Sequence, residues 1–237
     1  GSLRHRARKL QCLWQNRGYA YSQPSPGHYS ALLFGSDLTA MNINHRSMML
    51  DDGSRPYSHT ALLEFLSELK IEHKTVSHDA MFTVAQSKSL RETDPHGSYT
   101  KNLFMRNKKG AMWLITCNED RQIDLKALAA AMGYTGSNGR FSFASEDRLG
   151  RYLGVSPGAV SPLALINDPG NAVQFAIDSS LLDHEVIHLH PLDNHHTITI
   201  SVKDLIQFAE YTGHKPTRLE FDSFGGVRCF STAEQST

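Results

Sequence analysis

The chain lacks any apolar stretch near the roughly 20 residues that a bilayer-spanning helix needs, so no segment reads as one. It also lacks net charge: 24 Lys and Arg oppose 24 Asp and Glu in 237 residues. That balance removes any global attraction to nucleic acid or anionic lipid and leaves such contacts to local basic patches. Cysteine is scarce. Cys12, Cys117 and Cys229 are widely spaced and odd in number, which argues against a disulfide framework or a cysteine zinc site and for a reducing compartment. There is no Gly-x-Ser-x-Gly elbow for a serine triad. Gly136-Ser137-Asn138-Gly139 lacks the Lys-Ser/Thr ending of a phosphate loop. No internal repeat and no steady strand–helix alternation appear.

What is present is the composition of a globular domain, 40% hydrophobic and 20% charged. Residues 1–50 differ from the rest. Arg4, Arg6, Arg8, Lys9, Arg17 and Arg46 are opposed only by Asp37, and the opening Gly-Ser reads as a cleavage scar. Three readings stand side by side: a targeting segment, a basic arm for RNA, and a non-native or mis-started extension with Met48 or Met49 as the true start. The last is preferred, followed by a poorly ordered arm, and no function is placed there. The compact domain is expected over 51–222, with 223–237 a C-terminal tail.

Within that domain Leu62, Phe65, Leu66 and Leu69 recur at helical spacing, predicting a helix over 58–70. A strand is expected over 71–77 and a short helix over 83–90. Leu103 and Met105 alternate with Phe104 and Arg106, the period of a strand, and Asn107-Lys108-Lys109-Gly110 turns it back into the apolar run 111–116. An alanine-rich helix follows over 125–132. Ser145, Glu146 and Asp147 open another helix that stops at Gly154. Leu163 to Asn167 reads as a buried strand, and 173–177, 185–190, 197–200 and 218–221 as further strands. Ser201 starts a last helix. The sum is one α+β domain: a mixed β-sheet curled into a barrel, with helices packed outside it.

Three features could carry chemistry. Lys101 sits at the mouth of the hairpin, after Pro95-His96-Gly97-Ser98, where a lysine can face a cavity. In the loop Gly158-Ala159-Val160-Ser161-Pro162, glycine permits close backbone approach and amide groups can bind an oxyanion. His188 and His190 share one strand face, with His195 and His196 just beyond. Two readings of these histidines stay open: a metal-dependent hydrolase using His188, His190 and a third ligand, or one pocket-facing histidine among solvated neighbours. Cys117 ends an apolar strand and reads as a core residue. Arg106, Lys108 and Lys109 crowd one hairpin end, suited either to solvent or to a phosphate backbone arriving near Lys101.

Lys101-Asn102-Leu103-Phe104, the Gly158-x-x-x-Pro162 loop and His190-Pro191-Leu192-x-Asn194 occur in the order seen in the YbaK/prolyl-tRNA-synthetase-associated editing domains, which this chain resembles. Arg140 to Ser145 and Leu149 to Val155 look like the freestanding ProX branch of that family. The similarity runs from about Tyr57 to about Phe221. It implies hydrolysis of the ester joining a wrong amino acid, alanine above all, to the 3′ adenosine of tRNA(Pro). Cysteinyl- or seryl/threonyl-tRNA deacylation and a non-catalytic tRNA- or synthetase-binding module are the alternatives. The resemblance implies no metal or other cofactor. It makes Lys101, Gly158 and His190 catalytic, Asn102, Pro162 and Asn194 substrate-binding, and leaves Arg106, Lys108 and Lys109 to meet the tRNA. The implied partners are the tRNA(Pro) acceptor end and prolyl-tRNA synthetase, in the cytoplasm and away from membranes. Monomer and homodimer both stay open.

Overall fold

The computed structural model describes residues 48–80, 97–138, 140–222 and 226–230, and Met48–Thr237 forms one compact unit. The expected helix over 83–90 and nearly all of the basic extension over 1–50 lie outside the described residues.

Helix α1 (His59–Glu68) begins where Ser58, in extended conformation, accepts a hydrogen bond from the Ala61 amide. It buries Leu62 and Leu66 completely, each contributing about 1.5–3 kcal/mol. The sheet is built from β1 (His73–Ser77), β2 (Gly97–Arg106), β3 (Met112–Asn118), β4 (Ser142–Phe143), β5 (Val173–Asp178), β6 (Val186–Leu189), β7 (His196–Ser201), β8 (Thr217–Phe221) and β9 (Val227–Phe230). The strand order is β1-β7-β6-β2-β3-β5-β8-β9, with β4 paired to β2. The pairs β2/β6, β3/β5 and β5/β8 are parallel and the others antiparallel. The mixed α+β sheet is as expected, but it is not closed into a barrel. Among the described residues β1 and β9 stand at opposite ends of the path.

Alternation along the central strands sends side chains into two cores. Phe104, Leu114, Phe175 and Ile177 join a larger cluster with α1, with α3 (Glu146–Leu153) and with α4 (Val202–Tyr211). Met105, Trp113, Ile115, Ala176 and Leu219 join a smaller one under α2 (Leu125–Ala131). Helix α3 shows why its boundaries were readable. Ser145 accepts from the Arg148 amide, Glu146 and Asp147 sit in the first turn, and Gly154 closes it at φ 63. A Cβ at Gly154 would come within 2.5 Å of the Pro56 Cβ, so glycine is required for space as well as for conformation.

Two local expectations are corrected. Residues Pro162–Asn167 form a 3-10 helix, not a strand. All six are buried, so apolarity carried no period, and Ser161 caps the turn by accepting from the Leu163 amide at 3.2 Å ahead of Pro162 in the first turn. Residues 227–230, read as part of a tail, form β9 against β8, and the Gly226 amide donates to Asp222 Oδ1 at 2.7 Å. No helix among the described residues is long and apolar enough to cross a membrane.

Candidate active site

Register places a polar strip across one face of the sheet. Tyr99 on β2 pairs with His188 on β6, which pairs with Thr199 on β7. Lys101, two residues on from Tyr99, shares its face and pairs with Cys117 on β3. The contacts agree. The Tyr99 and His188 rings stack with centroids 4.3 Å apart, and His188 Nδ1 lies 2.9 Å from Thr199 Oγ1. Lys101 is half-buried in mid-strand, not at the hairpin mouth, because β2 begins four residues earlier at Gly97.

Lys101 Nζ donates to the Arg121 carbonyl oxygen. Arg121 in turn forks onto Asp178, with Nε donating to Oδ2 at 2.8 Å and Nη2 to Oδ1 at 3.3 Å, and its Nη2 also donates to Ser180 Oγ at 3.1 Å. Asp178 is 1% exposed, so this carboxylate depends on the pair and on the Ser180 amide and hydroxyl for its hydrogen bonds. Beside them opens a cavity of about 550 Å³ that also meets Arg218, Phe221 and Phe230. Cys117, underneath, is no nucleophile: burial pushes its thiol up to about 12.

Asn102 faces the opposite way from Lys101. Its Oδ1 accepts from Thr116 Oγ1 at 2.7 Å, and its Nδ2 makes only a long contact, 3.4 Å, to Thr100 Oγ1. Gly158 takes φ 89 in the loop before the 3-10 helix, and the neighbouring Ala159 amide is committed to the Ser156 carbonyl at 3.1 Å. Ala159, Ser161 and Pro162 are buried, which anchors the loop on the larger core.

His190 continues the strip one step beyond β6. Its Nδ1 lies 3.0 Å from the His196 carbonyl oxygen, so Nδ1–H is the donor and, among the described residues, Nε2 is left as an acceptor. Burial lowers the pKa of the imidazole below its ordinary value. The carbonyl bond opposes this, and nearby His78 reinforces it. The His78 ring stands edge-on 6.3 Å away, its Nδ1 on the Asp79 carbonyl and its Nε2 on Thr197 Oγ1. The following bend is held open by Leu192, a non-glycine residue at φ 70 whose side chain is buried in the larger core. Asp193 Oδ1 accepts from the His195 amide at 2.9 Å, and half-buried Asn194 lies between them. Burial raises the Asp193 pKa, but hydrogen bonds from His196 and that amide outweigh it and hold the carboxyl below its usual range.

The structure thus brings Lys101 and His190 to one sheet face. His188 is engaged by Tyr99 and Thr199, and His190 by His196, so the described geometry does not point this pair at a common ion. Arg106, Lys108 and Lys109 are at the far end of β2, about 17 Å from Lys101 by strand rise, and not beside it. The tip is fixed by buried Asn107, whose Oδ1 accepts from the Lys109 and Ala111 amides, while Lys108 and Lys109 are exposed. Sequence reasoning missed Tyr99, His78 and the Arg121–Asp178 pair. Tyr99 was signalled by its period-two spacing from Lys101. Arg121 and Asp178 lie 57 residues apart, and no local signal joins them.

Comparison with known proteins gives the family. A family model for an aminoacyl-tRNA editing domain matches residues 78–208, more than half of the chain. The prolyl-tRNA editing protein ProX of Acetoanaerobium sticklandii is 35% identical over 155 residues, covering 65% of this chain and 92% of that protein. A prolyl-tRNA synthetase associated domain-containing protein 1 from Bos taurus is 38% identical over 170 residues, covering 68% and 94%. A crystal structure of a hypothetical protein superposes with a TM-score of 0.51 at 15% identity, covering 65% of this chain and 95% of that one, a likeness of fold.

Proposed function

The chain belongs to the aminoacyl-tRNA editing domain family and is an aminoacyl-tRNA ester hydrolase; from that premise we propose that it clears misacylated tRNA(Pro), alanyl-tRNA(Pro) first of all. The observation that carries this reading is the shared face of Lys101 and His190, an amine and a half-buried imidazole along one polar strip. The name of the Acetoanaerobium relative, a prolyl-tRNA editing protein, supports tRNA(Pro) as the substrate, and the bovine relative's name supports prolyl-tRNA synthetase as a partner.

In this reading the substrate is an activated ester and the nucleophile is water. Lys101 turns its ammonium from the Arg121 carbonyl to the ester carbonyl or the terminal ribose, where charge-assisted hydrogen bonds hold the substrate. The loop at Gly158 stabilises the tetrahedral oxyanion through the Gly158 and Val160 amides, since that of Ala159 is committed. His190 accepts a hydrogen bond at Nε2 from the terminal ribose hydroxyl, which orients the attacking water. Asn194 fixes the substrate and Pro162 stiffens the loop wall, while Asn102, turned to the other face of β2, holds Thr116 and supports the strand from behind. Rejection of the cognate proline is steric. One or two methylenes discriminate by about 1–3 kcal/mol each, so a rigid loop anchored in the core serves selectivity better than a mobile one.

The test is deacylation of alanyl-tRNA(Pro) in EDTA, beside prolyl- and cysteinyl-tRNA(Pro), with Lys101→Ala as control. Rapid loss of alanine alone, slowed about a hundredfold or more in the variant, is the expected result. Loss of cysteine instead would keep the mechanism and replace the substrate. No turnover of any substrate would overturn the reading in favour of a tRNA-binding module.

A further inference from the structure

Of the histidines that sequence inspection grouped, His196 enters the cluster that the fold gathers, and its partner His59 comes from far upstream. His59 comes from the first turn of α1, Asp193 from the bend after Pro191, and His196 from the first position of β7. Their ligand atoms all lie within 4.8 Å of one another. His196 Nδ1 is 2.8 and 3.0 Å from the two Asp193 oxygens, and His59 Nδ1 is 3.5 Å from Asp193 Oδ2. The two imidazoles stack with centroids 4.2 Å apart. We propose that His59, Asp193 and His196 form a binding site for one transition-metal dication of the zinc class, which clamps α1 to the bend that carries His190.

The spacing fits. Donors around a tetrahedral ion with bonds near 2.0–2.1 Å are separated by about 3.3 Å. The His196–Asp193 and His59–Asp193 edges, 2.8 and 3.5 Å, are already close to that value, and the third edge is no longer than 4.8 Å. The Pro191 carbonyl oxygen, 3.2 Å from His59 Nδ1, stands beside the same point. Two nitrogens and one carboxylate are the donors preferred by Zn²⁺, Co²⁺ or Ni²⁺, whereas Mg²⁺ and Ca²⁺ demand an oxygen shell. Each side chain is 22–30% exposed, so an ion can reach the site and still leave a position for water.

The ion has a structural consequence rather than a chemical one. His196 supplies the carbonyl that holds His190 Nδ1, and Pro191 follows His190 directly. Fixing Asp193 and His196 to His59 fixes both flanks of His190. The set was invisible in sequence because His59 is 134 positions from Asp193, while the eye falls on the adjacent but exposed His195.

The test is calorimetric titration of the full chain with Zn²⁺ alone, with no tRNA or activity readout. Because the chain has 13 histidines, the variants decide rather than the stoichiometry. His59→Ala and His196→Gln are each expected to weaken the tightest binding step about tenfold or more, and His195→Gln to leave it unchanged. Excess Mg²⁺ is expected not to compete. In the unaltered protein Co²⁺ should give the intense visible bands of a four- or five-coordinate ion, a readout that needs no variant to fold. Absence of saturable Zn²⁺ binding, equal affinity in both cluster variants, or a weak octahedral Co²⁺ spectrum would each overturn the proposal.

Discussion

Strand β5 ends on a buried aspartate and is preceded by another, and the two are used in opposite ways. Asp168, 4% exposed, accepts from the Ala172 amide at 3.1 Å and the Val173 amide at 2.7 Å, and pairs with buried His214 at 3.1 Å. Its partners are backbone and another enclosed side chain, so it closes the entry to β5 and offers nothing to solvent. Asp178, 1% exposed, is paired with Arg121, whose side chain is 25% exposed and lines a cavity with Arg218 and Phe230, and whose carbonyl holds Lys101. A buried carboxylate is therefore not itself the mark of a site. What marks one is a partner that reaches open space and touches a further reactive group.

The largest expected effect on stability is at the closed end. Asp168→Ala strands the His214 ring and two amides in the interior, and removal of one member of a buried pair costs about 3–5 kcal/mol. A melting temperature lowered by roughly 10 °C is expected, with deacylation per folded molecule unchanged. A variant of normal stability and lost activity would show that Asp168 belongs to the site and end the contrast.

Arg121→Met tests the open end. The loss in stability is smaller, about 2 kcal/mol, because water reaches the guanidinium and part of the pair is already screened. Its larger mark is on catalysis. The Arg121 carbonyl holds Lys101, and the fork on Asp178 holds the Arg121 backbone. A drop in kcat of about tenfold or more with KM little altered is expected from a misplaced lysine, with partial recovery in Arg121→Lys, which keeps the charge and loses the fork. Unchanged kcat would make Asp178 as purely structural as Asp168.

Cys117 lies between Lys101 and Asp178 on the same face and gives a quieter test. With its thiol pushed up to about 12 by burial, about one molecule in 10⁴ is ionised at pH 8. Treatment with a thiol reagent at that pH is expected to leave Cys117 unmodified until denaturant is added. Modification of Cys117 in the native protein, read by peptide mapping, would mean that the strip is open to water beneath Lys101.

These contrasts also explain what the sequence disclosed. Helix α3 was legible because its cap, its acidic first turn and its Gly154 stop are local signals. The hairpin of β2 and β3 was legible because Leu103 and Met105 keep a period of two around the Asn107–Gly110 turn. The 3-10 helix at Pro162 was not, since five buried apolar residues in a row, Pro162 to Ile166, have no period to read. Closure of the sheet was not legible either, because it depends on how strands at opposite ends of the path are placed. Lys101 and His190 could be named individually from their motifs. Their common face needed the β2/β6 register, and the Arg121 carbonyl that holds Lys101 needed the chain end beyond β3.

The smallest expected effect comes from the basic tip, where the contrast shifts from buried carboxylates to exposed cations. Lys108 and Lys109 are exposed and lie beyond Arg106, the end of β2 about 17 Å from Lys101, too far to touch the reacting ester but within reach of the acceptor stem leading to it. Screened phosphate contacts contribute to binding alone. Lys108→Ala and Lys109→Ala are each expected to raise KM a few-fold, to leave kcat unchanged, and to lower the salt dependence of kcat/KM by about one contact each. A fall in kcat would instead place the hairpin tip over the site in the bound complex, which requires β2 and the tRNA end to meet in another orientation. Loss of the salt effect without change in KM would move the tRNA to a different surface and leave the tip a solvated turn held by Asn107.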